Sequence, residues 1–76
     1  MKLFRAVAPV LDVDPSELSV ESSQNTIINW DSLAIINLAM ALESEFLISL
    51  SAEDITRLRS IREIVNILQM RGVRIE

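Results

Sequence analysis

Seventy-six residues make one domain near the lower limit of what folds without staples. The chain has no Cys and no His, which excludes disulfides and thiolate metal sites and removes the commonest general base and metal ligand. Half of the residues are apolar, the only aromatics are Phe4, Trp30 and Phe46, and the net charge is −4; Leu, Ile, Val and Ala dominate around a single glycine, which points to helices and leaves little room for an enclosed catalytic site.

The first predicted element covers residues 2–11, with apolar positions at Leu3, Val7, Val10 and Leu11. Pro9 cannot donate to the carbonyl four residues back, so this helix is expected either to kink there or to have a short regular part. Asp14-Pro15 reads as an N-cap followed by proline at the first helical position, opening a turn through Glu17 and Leu18. From Ser19 to Asn29 the chain is rich in Ser, Asn and Thr, a long loop expected to be pinned to the core by Val20, Ile27 and Ile28. Asp31 or Ser32 caps the next helix, which should run to about Phe46. Ser51 caps a short helix ending near Leu58. Ser60-Ile61-Arg62-Glu63 is a capping box ahead of the stripe Ile61, Ile64, Val65 and Leu68. Gly72 stands where a helix C-cap needs positive φ, with Arg71 beside it to complement the dipole. The expected fold is all-α: a four-helix bundle of three main helices plus one short one, with a long loop between the first two. Residues 1–76 read as a single domain without repeat or linker.

Charge is unevenly distributed along this frame. Residues 1–56 set Lys2 and Arg5 against Asp12, Asp14, Glu17, Glu21, Asp31, Glu43, Glu45, Glu53 and Asp54, a sum of −7. Residues 57–76 set Arg57, Arg59, Arg62, Arg71 and Arg74 against Glu63 and Glu76, a sum of +3. An acidic front disfavours phosphate-backbone binding and suits a basic protein partner, so nucleic acid is not an expected ligand. Arg57, Arg59 and Arg62 read first as a solvated face and second as a further docking surface. At the N-terminus, Arg5 and Pro9 interrupt the apolar stretch and Asp12 and Asp14 follow it, so no signal-peptide core is formed. No segment reaches membrane-spanning length, and a cytoplasmic protein is the expectation.

The helix predicted from Ser32 to Phe46 is apolar on two sides. At 100° per residue Ile35, Leu38, Ala39, Leu42 and Phe46 share one face, assigned to the core. Leu33, Ile36 and Met40 lie across the helix, flanking Asn37 and Ser44, and a small core cannot bury both faces. The second is a candidate contact surface for another protein. Ser32 opens the same helix after Asp31. A phosphodiester there would be stabilised by the dipole and by free backbone N–H groups. With no evident base nearby, the hydroxyl is better suited to being modified than to attacking a substrate. Taken alone, Asp31-Ser32 reads as an ordinary helix cap.

The surrounding residues extend that reading. Trp30-Asp31-Ser32-Leu33 matches the Asp-Ser-Leu attachment motif of acyl carrier proteins, including the aromatic that often precedes it. Leu38-Ala39-Met40-Ala41-Leu42-Glu43-Ser44-Glu45-Phe46 resembles the second helix of that family with its acidic-Phe ending. Val10-Leu11-Asp12-Val13-Asp14-Pro15 is similar to its first-helix exit, and Ser60-Ile61-Arg62-Glu63-Ile64-Val65 to the start of its last helix. The resemblance spans nearly the whole chain in order and at consistent spacing.

That resemblance implies a covalent 4′-phosphopantetheine cofactor on Ser32, flanked by Asp31 and Leu33 and attached from coenzyme A by a phosphopantetheinyl transferase. The arm's thiol would hold acyl groups as thioesters for an acyl-loading enzyme and for synthases or transferases of fatty acid, polyketide or related biosynthesis. The protein would be a monomeric, non-catalytic carrier with no metal site. Partner contact would use Leu33, Ile36, Asn37, Met40 and Glu43, with Asp31 and Glu45 adding charge. Asn37 and Ser44 stand where the family often places acids, which implies partners recognised more by apolar contact than by charge. Asn29 stands where Gly commonly precedes the aromatic, a position at which Asn tolerates left-handed geometry. Ala39 near Ile35 and Leu42 is a candidate space for a sheltered acyl chain, set against an ordinary packed core. The competing readings are an aminoacyl or peptidyl carrier with the same arm and an unmodified helical interaction domain.

Overall fold

The computed structural model describes residues 2–74; Met1, Ile75 and Glu76, the last of which enters the charge sum of the tail, lie outside the described residues. Four α-helices form among the described residues in the expected order: α1 (Lys2–Leu11), α2 (Ser32–Phe46), α3 (Ala52–Thr56) and α4 (Ile61–Met70), with a 3-10 turn at Pro15–Glu17. The all-α expectation holds, relieved among the described residues only by a single antiparallel bridge between Ser23 and Ser60. Among the described residues no helix is long and apolar enough to cross a membrane.

α1 buries Leu3, Val7, Ala8 and Leu11 and keeps its helical path through Pro9 to Leu11. The carbonyl deprived of an N–H partner belongs to Arg5, and both Arg5 and Pro9 are exposed, so that carbonyl lies on the wet side of the helix. The helix closes with two back-bonds, Val13 N–H to the Ala8 carbonyl at 3.1 Å and Asp12 N–H to the Pro9 carbonyl at 3.4 Å. Asp12 takes the left-handed position at φ 57°, a conformation that Asp and Asn tolerate better than most residues. α4 ends in the same way. Val73 and Gly72 donate to the Leu68 and Gln69 carbonyls at 2.9 and 3.0 Å, and Gly72 has φ 79°.

The caps show where local sequence signals were outbid by tertiary partners. Asp14 is the expected N-cap at Pro15–Glu17 and closes a full box there, accepting from Ser16 N–H at 2.9 Å while Glu17 accepts from Asp14 N–H at 3.3 Å. Ser51 and Asp54 do the same for α3. At α4 only half of the predicted box forms: Ser60 Oγ accepts from Glu63 N–H at 3.1 Å, but the Glu63 carboxylate turns to Arg57 at 3.5 Å. Arg71 likewise reaches Asp54 on α3, so its main partner is that carboxylate and not the dipole of its own helix.

Leu3, Val7 and Leu11 of α1 meet Leu38 and Leu42 of α2 and Ile61, Ile64 and Leu68 of α4 in one buried cluster, closed by Leu18, Trp30 and Leu58. The loop before α2 is anchored differently from the expectation. Ile27 packs against this core, but Val20 is exposed and Ile28 is 96% exposed. Hydrogen bonds take their place: the carbonyl of buried Ser22 accepts from Ile61 N–H at 2.9 Å, and Gln24 N–H donates to the Arg59 carbonyl at 3.0 Å. Hydroxyls satisfy much of the remaining backbone, with Thr26 Oγ1 accepting from Ser23 N–H at 2.9 Å and Ser23 Oγ from Asn25 N–H at 3.1 Å. The late arginines complete the attachment. Arg62 pairs with Glu21 at 2.8 Å and Arg59 donates to Gln24 at 3.1 Å, so two of the three arginines read as a solvated face are exposed as expected and also strap the loop to the start of α4.

Two carboxylates make stability acid-sensitive. Hydrogen bonding to the Arg71 guanidinium, helped by Ser51 N–H, holds the Asp54 carboxyl below its ordinary 3.8. Ser16, through its N–H first and its hydroxyl second, does so for Asp14. A carboxyl lowered in the folded state adds stability above its unfolded value of 3.8, which is lost as pH falls through that value toward the folded one. Melting temperature should therefore be level from about pH 5 to 8, where no His titrates, and fall below about pH 4. Asp54→Asn should flatten part of that acid limb; an identical limb in the variant would assign the loss to other groups.

Candidate functional site

The chain enters α2 through a short series of backbone constraints. Trp30 N–H donates to the Ile27 carbonyl at 3.1 Å and Asp31 N–H to the Asn29 carbonyl at 3.0 Å. The Trp30 indole is 3% exposed, and its Nε1–H donates to the Leu58 carbonyl at 3.0 Å. Asn29, expected to serve by tolerating left-handed geometry, does not take positive φ; it works through its side chain, whose Nδ2 donates to the Leu11 carbonyl at 3.1 Å and ties the loop to the end of α1. Asp31 is extended at φ −111° and ψ −171°, and its Oδ1 accepts from Ala34 N–H at 2.9 Å. Asp31 is thus the cap, and Ser32 is the first helical residue.

This division leaves Ser32 unencumbered. Its side chain is exposed, and among the described residues its hydroxyl has no hydrogen-bond partner. The N–H groups of Ser32 and Leu33 have no backbone acceptor there either, as expected for the first turn of a helix. An oxygen-rich anion esterified to Ser32 would meet these donors and the positive end of a 15-residue dipole. Beside them an open cleft of about 290 Å³ runs between the end of α1 and α2, lined by Val10, Asp12, Asn29, Leu33 and Asn37 among others.

The same helix separates its two apolar faces as its periodicity demands. Ile35, Leu38, Ala39 and Leu42 are buried and Phe46 packs against them half-buried. Leu33, Ile36 and Met40 are 66%, 54% and 57% exposed, with Asn37 exposed between them. Glu43 and Glu45, the predicted acidic contributors, have partners within the chain. Glu43 Oε2 accepts from Leu50 N–H at 2.8 Å, bracing the α2–α3 connection, and Glu45 lies 3.6 Å from Lys2, whose ammonium also sits 5.3 Å over the Phe46 ring. Sequence reasoning gave Glu43 only a surface role because its acceptor use depends on a backbone N–H seven residues away. It also gave no sign of Leu47, a non-glycine residue at φ 55° that ends α2.

No group of three or more potential metal ligands gathers among the described residues. The start of α2 thus combines an exposed, unbonded serine at a helix N-terminus with an exposed apolar stripe on the same helix. In comparison with known proteins, residues 2–68 match the family model for the phosphopantetheine attachment site. The acyl carrier protein of Bdellovibrio bacteriovorus is 34% identical over 93% of this chain and 91% of its own length. That of Clostridium acetobutylicum is 36% identical over 90% and 88%, and that of Campylobacter concisus 33% over 95% and 99%. The chain belongs to the phosphopantetheine-binding acyl carrier protein family. The donors and the free hydroxyl at the start of α2 fit the phosphodiester end of that cofactor.

Proposed function

We propose that Ser32 is the attachment residue and that the protein shuttles acyl thioesters between enzymes of fatty acid, polyketide or related biosynthesis. The observation that supports this most is the exposed Ser32 hydroxyl, unbonded beside two free backbone donors. In the loading step Ser32 Oγ forms a phosphoester bond and gives up its proton to the transferase. The pyrophosphate bond of coenzyme A breaks, and the adenosine bisphosphate half leaves with the bonding electron pair. The phosphopantetheine arm supplies the thiol for thioester chemistry, which this Cys-free chain lacks. The chain's own contribution is placement. Asp31 fixes the first turn by capping Ala34 and so keeps its own carboxylate turned into the helix. The Ser32 and Leu33 N–H groups would hold the phosphodiester oxygens. Leu33, Ile36 and Met40 present the apolar surface on which transferase, loading enzyme and synthase dock in turn.

Intact mass after incubation with coenzyme A and a broad-specificity phosphopantetheinyl transferase should rise by one phosphopantetheinyl group. Ser32→Ala should show no gain while keeping its stability within about 0.5 kcal/mol, since Asp31 provides the cap. Modification of the variant would move the attachment to another hydroxyl.

A further inference from the structure

The corner that presents Ser32 is held by the connection between α3 and α4. Arg59, in the connection between α3 and α4, grips Gln24 twice: its carbonyl accepts from Gln24 N–H at 3.0 Å and its Nη1 donates to Gln24 Oε1 at 3.1 Å. Arg59 is itself fixed by donation from Nε to the Thr56 carbonyl at 2.9 Å. An amide has one acceptor end and one donor end, so a guanidinium on Oε1 turns Nε2 the other way. There it meets the Trp30 carbonyl at 3.4 Å, two residues before Ser32. The neighbouring Leu58 carbonyl takes the Trp30 indole N–H. Trp30 is therefore held at both its side chain and its backbone by adjacent residues of one connection.

We propose that Gln24 and Arg59 are positioning residues for the modification of Ser32, acting through the Trp30 carbonyl; this rests on the assignment of Ser32 as the attachment residue. The Trp30–Asp31 peptide sets the extended backbone from which Asp31 reaches Ala34. If it is released, that peptide rotates, the cap loosens and the Ser32 hydroxyl leaves its place at the helix start. Misplacing a reacting group by about 1 Å can cost on the order of 100-fold in rate. The Gln24–Trp30 bond is long, so its loss should give a smaller effect, about ten-fold. Of the docking stripe, Ile36 and Met40 lie one to two turns further along the helix and are untouched by this release; Leu33 alone adjoins it. The loss should therefore fall on kcat and not on KM.

Gln24→Glu separates the role from simple stability. A carboxylate still accepts from Arg59, now as an ion pair, but cannot donate to the Trp30 carbonyl. The exposed ion pair offsets part of the lost bond, so the variant should melt within a few degrees of the native temperature. Its transfer kcat with coenzyme A and the transferase should fall about ten-fold with KM within two-fold, on the expectation for a misoriented group. Amide hydrogen exchange at Ala34 should accelerate while exchange in α4 stays unchanged. Gln24→Ala and Arg59→Ala should show the same kcat loss, and the double variant no more than either, because the two residues act as one unit. Native kcat and native Ala34 protection in Gln24→Glu would overturn the role while leaving Ser32 as the attachment residue. A kcat loss that tracks melting temperature across the series would reduce it to stability. Failure of the native chain to be modified would overturn both readings together.

Discussion

Trp30→Ala is expected to remove a large part of the protein's folding stability. Deleting a buried large aromatic costs about 3–5 kcal/mol. A 76-residue domain has roughly 4–11 kcal/mol in total at about 0.05–0.15 kcal/mol per residue. Trp30 is 3% exposed and closes the cluster where the loop meets Leu58. Its removal opens a cavity and also strips the Leu58 carbonyl of its donor. Trp30→Phe divides these contributions, since it keeps most of the apolar surface but orphans the carbonyl, at a cost of about 1–3 kcal/mol. Urea titration followed by far-ultraviolet circular dichroism is the suitable measurement, because both variants lose the only indole. An alanine variant within about 1 kcal/mol of the native chain would mean that the loop closes over the site without Trp30, far below the usual cost of such a truncation.

The parts of this fold that were legible in the sequence are those fixed by neighbours within about four residues. The Ser51 cap, the Asp14-Pro15 start, the positive φ at Gly72 and the two-sided character of α2 all follow from short-range periodicity and capping chemistry. Ser32 was legible as one of two candidate caps at the start of α2; the structure gives the cap to Asp31, which leaves the Ser32 hydroxyl spare. What stayed hidden depends on partners distant in sequence. Glu63 left its predicted capping box for Arg57, and Arg71 left its own helix end for Asp54. Ile28 and Val20 were expected in the core because they are the apolar residues of a polar loop. That loop instead satisfies its backbone with its own hydroxyls and with Arg59 and Ile61, so it has no need of them. Hydrophobicity alone predicts burial only where no polar route exists to hold the chain.

Met40→Ala and Ile36→Ala should each lower kcat/KM for transfer to or from a partner enzyme by about 5- to 30-fold, the effect of removing about 1–2 kcal/mol of interface contact. Both side chains are more than half exposed in the free protein. Their truncation should therefore leave melting temperature nearly unchanged, and the loss would belong to docking. Glu43 provides the contrast, and the choice of substitution matters. Its carboxylate accepts from Leu50 N–H at 2.8 Å, so charge reversal would remove an acceptor from the α2–α3 connection as well as a charge from the surface. Glu43→Gln keeps an oxygen for that N–H and removes only the charge. With Asn37 and Ser44 uncharged and Glu45 facing Lys2, little net negative charge is left on this helix to steer a basic partner. Glu43→Gln should then remain within about two-fold of the native rate, the scale of a rim charge that affects encounter and not the docked complex. The reverse pattern, a ten-fold loss in Glu43→Gln with Met40→Ala unaffected, would make charge and not the apolar stripe the basis of recognition.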